Sequence, residues 1–279
     1  MGPSARCRAR RERLDRLIVS RGLARSRERA QALVMAGVVR VDGLPASKPG
    51  TLVPADADVT VVERDHPFVG RGGLKLDGAL DRLLVDPSGR VALDIGASIG
   101  GFTDCLLRRG AARVYALDVG VGQLDWSLRR DSRVVPLEGI NARFLRREDL
   151  PEPVDLILAD VSFISLRLIL PVLPPVLRPG GEVLALVKPQ FEVGRGEVET
   201  GGIVRDPRKH AAALESVAAA AEAAGLRTRD ACASPIAGAE GNREFFLRLA
   251  TAGKPLGPGA RARLFRGIVH GQGEATGPD

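Results

Sequence analysis

Two periods of apolar residues run along this chain, and the switch between them sets its organisation. In the first part apolar residues recur at Leu14, Leu17 and Ile18, and again at Ala30, Leu33 and Val34. Spacings of three and four predict two short amphipathic helices. Gly22 ends the first, Ser26 is placed to cap the second, and Gly37 stops it. Residues 38–41 and 59–62 read as short strands, with Asp42 and Gly43 as a hairpin turn. From Val91 onward the chain instead offers apolar runs of strand length at 91–95, 113–118, 134–137, 154–160 and 181–188. Helical stretches are predicted at 75–84, 102–109, 122–129 and 206–224, with a proline-interrupted one at 166–177. Residues 228–234 and 244–249 read as a closing pair of strands. This alternation predicts an α/β fold: a doubly wound, mostly parallel, seven-stranded Rossmann-like sheet, preceded by a small α+β domain. The expected boundaries are 1–62 for the first domain, a polar linker at 63–70, the main domain at 71–250, and a loosely ordered glycine- and proline-rich tail at 251–279 with a helical turn at 261–269.

Charge sharpens the division. The chain of 279 residues carries a net +7, yet residues 1–50 alone carry +8 and the remainder −1. The basicity therefore belongs to the small domain, which reads as a polyanion-binding module on a nearly neutral one. The three cysteines, Cys7, Cys105 and Cys232, are far apart, as are the three histidines. That spacing suits neither a disulfide framework nor a metal knuckle, so a reducing cytoplasm and no metal are expected. No apolar run approaches membrane-spanning length, and the arginines of the first residues are not followed by an apolar stretch of the kind a secretion signal has.

The chemistry concentrates at predicted strand ends. The run 183–187 ends on Lys188, and a proline then stops the ladder. Acids close three other runs: Asp94, Asp118 and Asp160. In an open α/β sheet such residues gather on the ligand-binding edge. Between the first of these strands and its helix lies Asp94-x-Gly96-Ala97-Ser98-x-Gly100-Gly101-Phe102. Ser98 replaces the middle glycine of a dinucleotide fingerprint. A carboxylate beside the turn would repel a pyrophosphate but suits a cofactor bearing an ammonium, and S-adenosylmethionine has one, plus a sulfonium and no phosphate. Asp118 is placed to accept from ribose hydroxyls, and Asn141 follows the third strand. Lys75 opens a helix, where the dipole disfavours a cation. Residues 190–202 read as a mobile lid. Taken singly, Lys188 also fits a lysine reaching solvent, and Glu244 a carboxylate on an edge strand.

Residues 13–15 (Arg-Leu-Asp), 22–27 (Gly-Leu-Ala-Arg-Ser-Arg) and 37–43 (Gly-Val-Val-Arg-Val-Asp-Gly) resemble the RNA-binding module first seen in small-subunit ribosomal protein S-four. The resemblance implies contacts to structured RNA, with Arg13, Arg16, Arg25, Ser26, Arg27, Arg29, Lys48 and Arg71 as candidates. Residues 71–76 (Arg-Gly-Gly-Leu-Lys-Leu), 94–104, 116–124, 160–166 (Asp-Val-Ser-Phe-Ile-Ser-Leu) and 187–194 (Val-Lys-Pro-Gln-Phe-Glu-Val-Gly) resemble the hemolysin-A-like (TlyA) family of ribosomal RNA ribose methyltransferases, a likeness that covers roughly 13–250. Ile99 and Gly70 depart from its pattern, where threonine and serine are expected. The likeness implies 2′-hydroxyl methylation, of cytidine, in ribosomal RNA or ribosomal subunits. It also implies a catalytic tetrad of Lys75, Asp160, Lys188 and Glu244. The cofactor set is then Asp94, Gly96, Ala97, Ser98, Gly100, Gly101, Phe102, Asp118, Val119, Asn141 and Asp160. Burial and the nearby cation Lys75 are expected to lower the pKa of Lys188 toward that of a general base, with Asp160 and Glu244 opposing the shift, though the lysine could instead hold the hydroxyl for water. Rival readings are a non-catalytic ribosome-assembly factor, a membrane-active hemolysin, and a nicotinamide-dependent oxidoreductase.

Overall fold

The structure is a computed structural model and describes residues 11–35, 37–46, 48–62, 66–199, 201–238 and 241–271. Cys7 and the first three arginines of the basic segment lie outside the described residues, as does the chain beyond 271. The chain divides into two compact units, residues 1–71 and 72–279.

In the first unit a strand β1 (Arg11–Arg13) leads into α1 (Leu14–Ser20) and α2 (Arg27–Met35). Four short strands follow: β2 (Val39–Val41), β3 (Leu44–Pro45), β4 (Leu52–Pro54) and β5 (Val59–Val61). β1 pairs with β4, and β2 lies between β3 and β5, all antiparallel. Asp42 and Gly43 both hold positive φ, as the two-residue turn between β2 and β3 requires. Leu14, Leu17, Ile18, Ala30 and Val34 close on Val39, Val53 and Val59 to form a small core. Within that core Asp15 is fully buried. Arg13 donates to it at 2.8 and 3.0 Å, Arg27 at 2.9 Å and Gln31 at 3.0 Å. The Arg13 hydrogen bonds, with help from Gln31 and Arg27, outweigh burial and hold its carboxyl far below the ordinary range.

The second unit begins with α3 (Gly72–Arg82), then β6 (Val91–Ile95), α4 (Gly101–Arg108), β7 (Arg113–Asp118), α5 (Trp126–Arg129), β8 (Val134–Glu138) and β9 (Val154–Ala159). It continues with β10 (Leu177–Val187), α6 (Pro189–Glu192), α7 (Pro207–Ala223), β11 (Arg227–Ala233), β12 (Phe245–Ala250) and α8 (Pro258–Val269). The seven strands from β6 to β12 form one sheet in the order β11-β12-β10-β9-β6-β7-β8. β12 runs antiparallel to both neighbours and the other pairings are parallel. Alternate residues of the central strands supply the two faces. Leu93, Ile95, Ile157, Ala159, Val183 and Phe245 face the core that α7 and α8 cover. On the opposite face Phe246 meets Phe102 of α4 at 6.1 Å between ring centres.

Five expectations change. Leu84, the last residue of the helix expected over 75–84, stands beyond the end of α3 at φ 50° and is 85% exposed. The helix expected over 122–129 shrinks to Trp126–Arg129, because Gly122 takes positive φ and Asp125 caps the later start. The stretch 166–177 becomes three 3-10 turns, two of them led by proline. The tail is not loose between 258 and 269. There α8 buries Phe265, Ile268 and Val269 in the core, and Arg261 pairs with Glu215 and Glu222 of α7. Of the expected linker, residues 63–65 lie outside the described residues, while Phe68 and Val69 are buried rather than solvated.

Candidate active site

Strand register brings the site together. Val187 lies opposite Phe245 across the β10–β12 ladder, so the next residue on one side, Lys188, and the preceding one on the other, Glu244, share a level. Ala185 lies beside Ala159 of β9, which places Asp160 at the adjoining strand end. Lys75 reaches the same edge from the first turns of α3, and its Nζ donates to Glu244 Oε2 at 2.6 Å. Lys188 Nζ lies 2.5 Å from Asp160 Oδ1 and donates to Ser162 Oγ at 2.9 Å. The four expected residues thus form two lysine–carboxylate pairs, and all four side chains are at most 20% exposed.

The electrostatics reverse one expectation. Burial opposes the charge of Lys188, but the carboxylates of Asp160 and Glu244 outweigh it and hold the lysine above its ordinary range. Burial likewise opposes the Asp160 charge, and Lys188 and Lys75 overcome it, so that carboxyl titrates below its usual value. Lys188 is therefore an ammonium at neutral pH, not a base lowered by its neighbours. The sequence showed the neighbouring cation but not the distances to the two carboxylates.

The turn between β6 and α4 builds a second cluster beside this one. Asp94 is fully buried. Its Oδ2 accepts from Thr103 Oγ1 at 2.6 Å, and its Oδ1 has no hydrogen-bond partner. Burial, opposed by the Thr103 hydrogen bond and reinforced by Asp160 and Asp118, pushes this carboxyl up to about 7. The Oγ of Ser98 is also buried without a partner, while its backbone N donates to Asp118 Oδ2 at 2.8 Å. Asp118 Oδ1 accepts from Gly120 N at 2.7 Å. Gly96, Ala97, Gly100 and Gly101 make the turn and the helix start, and Val119 is 70% exposed at the β7 end. Two expected cofactor residues are turned elsewhere: Phe102 is buried against Phe246, and Asn141 Oδ1 caps the backbone N of Arg143 at 3.0 Å. Two orphaned polar atoms beside a glycine turn fit a ligand with an ammonium donor, and an ionised Asp94 is its natural acceptor.

Sequence reasoning missed Phe163. It follows Ser162 by one residue, is 93% exposed, and holds a φ of 65°. An aromatic residue rarely takes that conformation, which costs roughly 1–3 kcal/mol. Its ring packs 5.3 Å from that of Phe191, three residues after Lys188. A tilted aromatic pair thus joins the segments that follow Asp160 and Lys188, and one of its rings is open to solvent.

In the first unit the candidate RNA-contacting residues differ in what holds them. Arg13 and Arg27 are engaged by Asp15, and the Ser26 hydroxyl caps α2 through the backbone N of Arg29 at 3.2 Å. Arg16, Arg25, Arg29, Lys48 and Arg71 are exposed. Among the described residues no group of three or more His, Cys, Asp or Glu side chains could hold a metal ion, and no helix is long and apolar enough to cross a membrane.

A seven-stranded sheet with one antiparallel strand, a glycine turn beside a buried acid and a Lys-Asp-Lys-Glu cluster on one edge define a methyltransferase of the Rossmann-like kind. The chain belongs to the FtsJ-like methyltransferase family, which it matches over residues 68–251, and it carries an S4 domain over 12–59. It is 51% identical over 244 residues to the 16S/23S rRNA (cytidine-2′-O)-methyltransferase TlyA of Mycobacterium tuberculosis, covering 87% of this chain and 91% of that one. It is 39% identical to a protein named Hemolysin A from Brachyspira hyodysenteriae, over 84% of this chain and 97% of that one. A solved structure from Streptococcus thermophilus that bears the name hemolysin superposes with a TM-score of 0.72 at 40% identity, covering 95% of this chain and 97% of that one.

Proposed function

We propose that this protein methylates the 2′-hydroxyl of cytidine in ribosomal RNA, working in the cytoplasm with S-adenosylmethionine as methyl donor. The observation that carries the reading is the meeting of Lys75–Glu244 and Lys188–Asp160 at one strand level, beside a turn with an orphaned buried carboxylate. The relative named for cytidine-2′-O methylation supports the choice of nucleotide. Bound at the Asp94 turn, S-adenosylmethionine supplies a methyl group on a sulfonium. The Lys188 ammonium, anchored by Asp160 and Ser162, donates to the ribose oxygen and orients its lone pair toward that methyl. Forming the C–O bond would break the sulfonium S–CH3 bond and release S-adenosylhomocysteine; the hydroxyl proton then becomes strongly acidic, and water or the Asp160 carboxylate can accept it. Lys75, fixed by Glu244, holds Asp160 ionised. Exposed cations of the first unit contact the RNA backbone. Incubating the purified protein with ribosomal subunits and tritiated S-adenosylmethionine, then mapping 2′-O-methyl positions, tests the proposal. Subunits that gain no ribose methyl would sink it.

Two further outcomes are expected. The carboxyl of Asp94 ionises near pH 7, well above the ordinary value of about 4. Its buried charge therefore costs stability increasingly from about pH 4 to about pH 7 and no more above that. An ammonium ligand recovers this cost, so S-adenosylhomocysteine affinity should rise as pH increases through about 7. In Asp94→Asn that rise should vanish, as calorimetric titration across the range will show. Phe163 offers a face for the base of the extruded nucleotide. Stacking is worth about 1–3 kcal/mol, so Phe163→Ala should raise KM for the RNA about tenfold or more while leaving S-adenosylhomocysteine affinity unchanged.

A further inference from the structure

Three successive side chains before β12 hold three different parts of the catalytic unit. Asn242, 2% exposed, accepts from Val204 N at 3.1 Å and donates to Gly202 O at 2.9 Å, which fastens the end of the segment following α6. Arg243 donates to Val269 O at 2.5 Å and to Ile268 O at 3.0 Å, the last carbonyls of α8. Glu244 is the partner of Lys75. The family match ends at residue 251, so α8 lies beyond it.

We propose that Arg243 is a positioning residue through which the C-terminal helix sets the geometry of Glu244. A helix end leaves four carbonyls without partners and carries partial negative charge. Gly271 N donates to Ile268 O at a long 3.4 Å, and the Arg243 guanidinium fork adds a donor there and another at Val269 O. The same guanidinium lies 5.5 Å over the ring of Phe245, which is fully buried and packs 5.4 Å from His210 of α7. The chain is thereby pinned on both sides of the Arg243–Glu244 peptide, at the point where a strand end would otherwise fray. α8 does not need Arg243 to stay docked, because Phe265, Ile268 and Val269 are buried and Arg261 holds Glu215 and Glu222. The consequence of losing the cap therefore falls on Glu244. A carboxylate seated 2.6 Å from Lys75 has little tolerance, and a misplacement of about 1 Å can cost about a hundredfold in rate.

This inference rests on the reading of Lys75 and Glu244 as part of a methyl-transfer site. Arg243→Ala should lower kcat about ten- to a hundredfold with S-adenosylhomocysteine affinity unchanged. In a Glu244→Gln background the same change should cost nothing further, because the residue it positions is already disabled. Arg243→Lys, which keeps a cation and one donor at the helix end, should fall between, and it carries the test if the alanine variant does not fold. Wild-type kcat in Arg243→Ala, or an equal loss in both backgrounds, would overturn the proposal. Amide exchange gives a readout free of activity: Arg243→Ala should quicken exchange at Glu244 to Phe246 but not in β9. Unchanged exchange there counts against the positioning role, whereas an inactive wild type with quickened exchange counts only against the proposed reaction.

Discussion

Lys188→Ala lowers kcat for RNA methylation by about a hundred- to a thousandfold, the usual cost of removing one preorganised donor from a reacting oxygen, and leaves S-adenosylhomocysteine bound. The residue is 9% exposed and salt-bridged, so the change also leaves Asp160 buried with only Lys75 to balance it. Lys188→Met keeps the volume of the stem and separates lost packing from lost charge. Lys188→Arg is the more telling variant. An ammonium that donates a hydrogen bond can be replaced in part by a guanidinium, while a lysine acting as base cannot. Because Asp160 and Glu244 hold Lys188 above the ordinary lysine range, the arginine variant should retain measurable turnover. For the same reason kcat of the native enzyme, measured with S-adenosylmethionine saturating so that Asp94 ionisation does not enter, should show no rise between about pH 7 and pH 9, where a lysine base would be losing its proton. Full inactivity of Lys188→Arg together with such a rise would restore the base.

That reversal shows where sequence reading stops. A strand-end lysine, three strand-end acids and a glycine turn are one-dimensional signals, since β-strands of an open sheet deliver their last residues to one edge. The lysine's protonation depends on whether carboxylates stand closer than cations, and that is set by the β10–β12 register and the approach of α3. Motif likeness brought Lys75 and Glu244 together across 169 residues, a pairing no periodicity could supply. β1 escaped notice because Arg11–Arg13 is a charged triplet held by backbone pairing with β4. Of α8 only a helical turn over 261–269 was legible, because proline and glycine surround Leu264, Phe265, Ile268 and Val269, although their spacing is helical. Phe163 showed only as one residue of the 160–166 motif, with no sign of a role of its own. Its importance lies in its exposure and backbone angle, and neither is written in composition.

The second large effect is expected at Gly96. Its φ is 85°, and a Cβ built there would stand 2.2 Å from the backbone carbonyl oxygen of Asp160. Two penalties therefore coincide in Gly96→Ala. The left-handed angle costs an alanine roughly 1 kcal/mol, and the clash is with main chain that no rotamer change can relieve. Either the turn recoils from β9 or the strand end that bears Asp160 moves. The first displaces the turn that carries the unpartnered atoms of Asp94 and Ser98, and the second breaks the Lys188–Asp160 contact of 2.5 Å. Both routes end in loss of function by different observables. Recoil of the turn should weaken S-adenosylhomocysteine about a hundredfold or more, since ligand affinity follows every 1.4 kcal/mol tenfold. Displacement of Asp160 should preserve affinity and lower kcat instead. Calorimetric titration beside a single-turnover rate separates them, and a variant with both values native would show that the turn and the β9 end are not in the contact described. The clash lies between the two strand ends, so the route taken depends on which holds its place more firmly. Asp160 N donates to Ile95 O at 2.9 Å, and Gly96 and Ala97 donate to Leu117 O at 2.8 and 3.1 Å. The turn is thus tied to β7 as firmly as Asp160 is tied to β6. Strain is then shared, and loss of affinity and loss of rate should appear together.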